Sequence, residues 1–265
     1  MNKIYDLCQF NGEKELLEIR LETLKDVVDV FVIGSCEYSH SGIKKGVDYI
    51  PNEFQQKFHG KILFYDIPYI PNPDPWHNEQ YGREYLYEKI YDRLDNSDML
   101  LVCDLDEIPN PENIKEESRK LVKPVTFCGD YFLFCLDLWG RKSIDGYLIH
   151  SNWVNGTNLN WLRSHRTNFQ HPDLFKHVTD SSWHFSSVGS PEWIAKKMSY
   201  FGHCNEFTGD VRNPEYIRQL IKGKCGNFKL DQPNVLQEWN VNKLPPCIQK
   251  NQEKFKHLFY SNYAD

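Results

Sequence analysis

No apolar run in the chain approaches the ~20 residues needed to cross a bilayer, and the opening MNKIYDLCQF lacks the basic-then-apolar order of a secretory signal. Positive charge is also short. Thirty-one Lys and Arg stand against 37 Asp and Glu, a formal net charge of −6, so a basic nucleic-acid-binding surface is not expected. Repeats, low-complexity tracts and obvious linkers are absent. Eight cysteines are present but scattered, with no CxxC pair and no zinc-ligand spacing. Cys8, Cys103, Cys128 and Cys135 lie inside apolar runs, where cysteine is usually a small buried hydrophobe. These features together predict reduced thiols, a cytoplasmic location and no membrane span.

What the chain does have is 265 residues, enough for one large domain or two small ones, and 14% aromatics. An aromatic surplus suits flat ligands such as sugar rings, and a Trp-rich core accounts for it equally well. Residues 3–8 read as a strand. Asn11 is placed to cap a helix through about residue 25, with Leu17, Leu21, Leu24 and Val28 on one face. VDVFVIG (28–34) and KILFYDI (61–67) read as buried strands, with a helix from about Asn78 to Leu94 after them. MLLVC (99–103) is a strand ending in acids. Such alternation predicts an α/β fold with a mostly parallel central sheet flanked by helices. Residues 124–150 read as three antiparallel strands, PVTFCG, DYFLFCLDLWG and GYLIHS. The last third reads as helical, with Pro191 and Pro214 each opening a helix and a final helix over about Ile248 to Phe259.

Ligands of open α/β sheets bind beyond the carboxyl ends of the strands. The residues there are Gln9, Asn11 and Glu13 after the first strand, and Ser35, Glu37, Ser39, His40 and Ser41 after the second. After MLLVC comes Asp104-Leu105-Asp106-Glu107-Ile108-Pro109, the sharpest signal in the chain. Alternation sends Asp104 and Asp106 to the same side. Like charges held close are costly unless a cation sits between them, and Mn²⁺ or Mg²⁺ suits such oxygen ligands beside a substrate diphosphate. A solvated acidic turn closed by Pro109 is the plainer account. Trp183-His184-Phe185-Ser186 offers a nitrogen ligand to the same metal, or simply a hydrogen-bonded core histidine. On the helix before the acidic strand, Asn78, Glu79 and Arg83 present either a guanidinium for phosphate or an ordinary i,i+4 ion pair. Lys197, His203 and Glu206 form a further cluster at and beyond the end of the helix that Pro191 opens.

Taken in order, FNGEKELLEIRLETLKDVVDVFVIG, SHSG, CDLDEIPNP, WHFSSVGSPEWIAKK and FGH resemble the β-1,4-mannosyl-glycoprotein 4-β-N-acetylglucosaminyltransferase family, the bisecting GlcNAc transferases and their microbial and viral relatives. The resemblance runs from about Tyr5 to Phe259, and its specificity lies in the ordered combination of motifs. It implies one GT-A-like domain, residues 1–265, with a nucleotide-sugar-binding half over about 1–110 and an acceptor-binding half with a helical C-terminal section over about 111–265. It further implies a metal-dependent inverting transferase, with UDP-GlcNAc the best-known donor and a glycan or glycoconjugate acceptor. Carried over position by position, Asp104 and Asp106 match the metal and diphosphate motif, Asn11, Glu13 and Arg20 the FNxE and LLExR positions, and His184 the WHxS position. Arg83, Lys197 and His203 join the expected donor contacts. One departure is Ser35, where an acidic residue is expected at the start of the loop after the second strand, with Glu37 two residues later.

Inverting transfer needs a carboxylate to take the acceptor proton. Glu206, Asp130 and Asp210 are the candidates, with Glu206 favoured for its place beside His203. Two other classes compete. Phosphatases with Asp-x-Asp after an apolar strand usually carry it on the first strand, whereas here it falls near residue 104. A non-catalytic nucleotide-sugar or glycan-binding protein on the same fold has no need of an intact Asp104 and Asp106.

Overall fold

The computed structural model describes residues 2–154, 173–202, 210–228, 230 and 235–264. Among these residues ten strands, numbered in chain order, form one sheet, ordered β3-β2-β1-β4-β7-β6-β9-β5, where β5 is Glu107–Pro109 and β9 Ser182–Ser186, with β10 (Gln237–Glu238) beside β7 and β8 (Lys176–Val178) beside β6. The first four, β1 (Ile4–Gln9), β2 (Val30–Cys36), β3 (Ile62–Ile67) and β4 (Met99–Val102), are the apolar runs anticipated, and they pair in parallel. Parallel strands covered on both faces need apolar side chains on both, which is why β1, β2 and β4 read as near-continuous hydrophobic runs; β3, expected to be buried as well, is the edge strand, and only its Ile67 is fully buried. Sheet order reverses between β1 and β4, because β2 and β3 extend to one side of β1 and β4 to the other. A crevice opens at such a reversal, beyond the carboxyl ends of the strands.

Beyond β4 the sheet turns mixed. β6 (Val125–Leu133) and β7 (Leu138–His150) form a long antiparallel pair, with β7 also antiparallel to β4. The three strands expected over 124–150 are therefore two, joined by a turn in which Phe134 adopts a left-handed φ of 68°. Glycines inside the two strands account for the difference. A Cβ on Gly129 would stand 1.9 Å from the Ser182 carbonyl oxygen, and one on Gly146 would stand 2.3 Å from the Val102 carbonyl oxygen and from Cys103 Sγ. Both glycines let neighbouring backbone pass close within the sheet, and no chain reversal occurs at either.

Helix boundaries also shift. The first helix, α1 (Lys14–Leu24), starts after Glu13, and Asn11 does not cap it: the Asn11 N–H donates to Glu13 Oε2 at 2.9 Å. α3 (Pro75–Ile90) follows the short α2 (Asn52–Lys57) and begins earlier than expected, because Asp74 caps Trp76 N–H and Pro75 fits the first turn. The Pro191 and Pro214 helices are present as Pro191–Lys197 and Pro214–Lys222. The final helix is instead two short ones, Pro246–Lys250 and Gln252–Phe255. Asn251 separates them, its side chain donating to the Cys247 carbonyl at 2.7 Å, the kind of local bond that competes with helix continuation.

The core lies on both faces of the sheet. Leu16, Leu17, Ile19, Leu21 and Leu24 of α1 pack with Phe31, Ile33 and Leu101 on one side, and Leu86, Tyr87 and Ile90 of α3 pack with Leu7, Val32 and Leu100 on the other. Cys8, Cys36, Cys103, Cys128, Cys135, Cys225 and Cys247 are all free thiols, and Cys204 lies outside the described residues. No helix among the described residues is long and apolar enough to cross a membrane.

Candidate active site

A cleft of about 730 Å³ opens at the crevice between β1 and β4, within the range typical of small-molecule sites. Asn11, Glu13, Arg83, Asp104, Asp106, His184 and Lys197, all anticipated from the sequence, line it. These residues come from separate stretches of chain, so the fold has to bring them together.

The acidic turn is held from below. Arg20 of α1 is fully buried and meets both carboxylate oxygens of Asp6, at 2.6 and 2.8 Å. Its remaining terminal nitrogen donates to the carbonyls of Asp104, Leu105 and Glu107 at 3.0, 3.2 and 2.6 Å. Arg20 is thus fully buried and takes no part in the cleft lining, whereas the resemblance set it among the donor contacts. It lies under the cleft and fixes the backbone of the turn that carries the two aspartates. From the side, Phe185 N–H donates to the Asp106 carbonyl at 2.8 Å, and β5 (Glu107–Pro109) pairs antiparallel with β9 (Ser182–Ser186), setting Glu107 opposite His184.

This pairing brings His184 to Asp106. The buried imidazole directs Nδ1 at Asp145 Oδ1, 3.1 Å away, and Nε2 at Asp106 Oδ1, 3.9 Å away. Asp145 itself is buried on β7, and its second oxygen accepts from Ser182 Oγ. With Nδ1 engaged by a carboxylate, Nε2 is the nitrogen left to face the cleft, the second-sphere arrangement usual for metal-bound histidines. Burial works against protonating His184, yet Asp145, Asp106 and Glu107 together raise its pKa above the ordinary 6.5. Asp106 shows the converse. Burial would push its carboxyl up, but the Lys197 ammonium at 3.0 Å and the nearby His184 hold it below the usual carboxylate value.

Two ligands about 2.1 Å from a shared ion stand ~3–4 Å apart, so the Asp106–His184 separation fits a divalent cation with little adjustment. Glu107, Asp145 and His184 also cluster closely enough to hold an ion. In that cluster Asp145 is already engaged by His184 and Ser182, and Glu107 Oε2 accepts from Asp104 N–H at 3.1 Å. Arg83 donates to Glu79 and to Asp104 Oδ1, both at 2.5 Å, so the ordinary ion pair and the cleft-facing guanidinium are realised in one residue. Glu13 is raised by burial, against the opposing pull of Lys197 at 3.7 Å.

Two candidate bases stand away from this centre. Asp130 accepts from Trp139 Nε1 at 2.8 Å and pairs with Lys142 at 2.8 Å, outside the cleft lining. Asp210 is exposed and also outside it. His203 and Glu206 lie outside the described residues. Sequence reading missed Asp145, a lone acid in an apolar strand with no motif around it. It also missed Tyr131, whose ring meets His184 edge-on at 5.0 Å between centroids, and Arg141, which stands over the same ring.

Comparison with known proteins agrees with the motifs. The chain is 26% identical over 309 residues to the rat and the mouse β-1,4-mannosyl-glycoprotein 4-β-N-acetylglucosaminyltransferases, covering 99% of this chain and 55% of each relative. It thus spans about half the length of the curated relatives it matches. Among solved structures, the crystal structure of S. aureus TarS 1-349 aligns over 99% of this chain and 88% of that chain, at 10% identity and a TM-score of 0.42. Residues 1–223 match the sequence profile of glycosyltransferase family 17, and with most of its length covered the chain belongs to that family.

Proposed function

We propose that the chain is a metal-dependent inverting glycosyltransferase that moves a sugar, GlcNAc or a related hexose, from a UDP-sugar to a hydroxyl of a glycan or glycoconjugate. The observation that carries this reading is the placement of Asp106 and His184 Nε2, 3.9 Å apart in a cleft at the carboxyl end of β4. In this reading the chain works as one catalytic unit, with the nucleotide-sugar half over about 1–110 and the acceptor half over about 111–265. Asp104, Asp106 and His184 would hold Mn²⁺ or Mg²⁺, which when bound offsets the charge that builds on the departing diphosphate. Arg83 and Lys197 supply positive charge to the same group. Asn11 and Glu13 close the cleft beside the donor, and His203 keeps the donor-contact role that the resemblance implies for it.

The acceptor hydroxyl must lose its proton as it attacks the anomeric carbon. Carboxylates committed to a cation or a fixed ion pair serve poorly. Glu206 remains the proposed base. It follows Gly202 by four positions, and Gly202 lines the cleft against Trp76 and Glu79. Glu206→Gln keeps shape and removes basicity, so turnover should fall about a hundredfold or more with UDP-sugar affinity nearly unchanged. Steady-state kinetics alongside calorimetry separate the two effects. A fully active variant removes Glu206 from the role.

For the reaction itself, the chain incubated with UDP-GlcNAc, a mannose-bearing glycan and Mn²⁺ should yield a β-linked product, and EDTA should stop it. An α-linked product overturns the inverting mechanism. Asp145 provides a third check. Asp145→Asn should weaken Mn²⁺ binding in the presence of UDP by about ten- to a hundredfold, as loss of a second-sphere carboxylate does elsewhere. Unchanged Mn²⁺ affinity would show that Asp145 serves only packing.

A further inference from the structure

Lys197 sits where positive charge is needed before any ligand arrives. Its ammonium lies 3.0 Å from Asp106 Oδ2 and 3.7 Å from Glu13 Oε1, with all three side chains 15% exposed or less. The other Asp106 oxygen faces His184 Nε2 at 3.9 Å. One carboxylate is thus divided between an ammonium on one side and a cation-compatible pair on the other. Arg83 pairs with Glu79 and Asp104 and leaves Asp106 to Lys197 and His184.

We infer that Lys197 is a resident counter-cation, held by Asp106 and Glu13 until a nucleoside diphosphate draws its ammonium away, so that diphosphate and divalent cation enter the cleft in concert. The inference rests on the reading of Asp106 and His184 as cation ligands. Two positive groups on the two oxygens of one carboxylate repel each other strongly in a site shielded from water. The ammonium therefore lowers the affinity of the empty cleft for a divalent ion. A diphosphate reverses this, since it brings the negative charge that lets both cations stay.

The local architecture permits such a movement of the side chain alone. Lys197 ends the helix Pro191–Lys197, whose first turn is capped by Ser190. Just past it, Ser41 Oγ donates to the Ser199 carbonyl at 2.8 Å and Ser41 N–H to that of Tyr200 at 3.3 Å, tying the helix end to the loop after β2. The backbone is fixed, but the four-carbon stem can swing. The Trp193 ring lies 5.2 Å from the ammonium and offers a surface along which it can move within the cleft.

The test is Mn²⁺ binding to the full chain with and without UDP, read by electron paramagnetic resonance of free Mn²⁺. It uses the unsubstituted protein, Lys197→Met and Lys197→Arg. Lys197→Met should bind Mn²⁺ alone about tenfold or more tighter than the unsubstituted chain, and the gain on adding UDP should shrink in proportion, as reciprocal coupling requires. Lys197→Arg retains the charge and should behave like the unsubstituted chain. Should Lys197→Met fail to fold, Lys197→Gln carries the same expectation. If the unsubstituted chain binds Mn²⁺ with UDP but neither neutral variant binds it more tightly alone, this inference falls and the metal site stands. If the unsubstituted chain takes up no Mn²⁺ even with UDP, the metal reading fails and takes this inference with it.

Discussion

Asp106→Asn should reduce sugar transfer by about a thousandfold, corresponding to the several kcal/mol of transition-state stabilisation a catalytic cation provides. The substitution keeps the shape of the side chain, leaves the backbone carbonyl that accepts from Phe185 N–H, and removes the charge that both His184 and Lys197 face. Melting temperature should move by no more than a few degrees, because the turn is held through its backbone by Arg20 and by β9. UDP affinity measured in Mn²⁺ should fall with activity. Full activity of this variant in EDTA would remove the cation site.

Arg20→Met should act in the opposite way, on stability first. It leaves the Asp6 carboxylate fully buried with its guanidinium partner gone. Breaking a buried pair from one side costs about 3–5 kcal/mol, which for a chain of this size lowers the melting temperature by on the order of 10 °C. Three carbonyls of the acidic turn also lose their donor, so Mn²⁺ binding should weaken even in the folded fraction. A direct donor contact at Arg20 predicts something else, a raised KM with an unchanged melt. Replacing both partners, Asp6→Leu with Arg20→Met, should recover part of the lost stability, since no charge is then stranded. Recovery of stability without recovery of Mn²⁺ affinity would separate the two roles of the guanidinium.

The strands β1, β2 and β4 were readable because burial on both faces forces long apolar runs, and those runs end at residues whose chemistry stands out against them. Asp104 and Asp106 were readable for the same reason. Arg20 was readable as a member of a motif but not as a group beneath the cleft, since its side of α1 is decided by Asp6, a charge in the middle of a buried strand. The end of the sheet around β6, β7 and β9 was harder. Gly129 and Gly146 carry the local signature of turns, and only the neighbouring strand shows that they are points of close passage. Asp145 could not be found at all, because its meaning comes from His184, which reaches it through strand pairing rather than through nearby sequence. Lys197 was expected to meet the donor, and what the sequence could not indicate is that carboxylates already hold its ammonium.

The pairing of β5 with β9 has a bearing on how the protein matures. Contacts between segments far apart along a chain carry the largest loop-closure cost and tend to form late. The parallel unit of β1 to β4 is complete by Val102, yet the acidic turn gains its lateral support only when Ser182–Ser186 docks beside Glu107–Pro109. Until β9 docks, the turn lacks both His184 and the Phe185 amide. In the proposed metal reading, a cation finds both Asp106 and His184 only after β9 has docked, because His184 arrives with that strand.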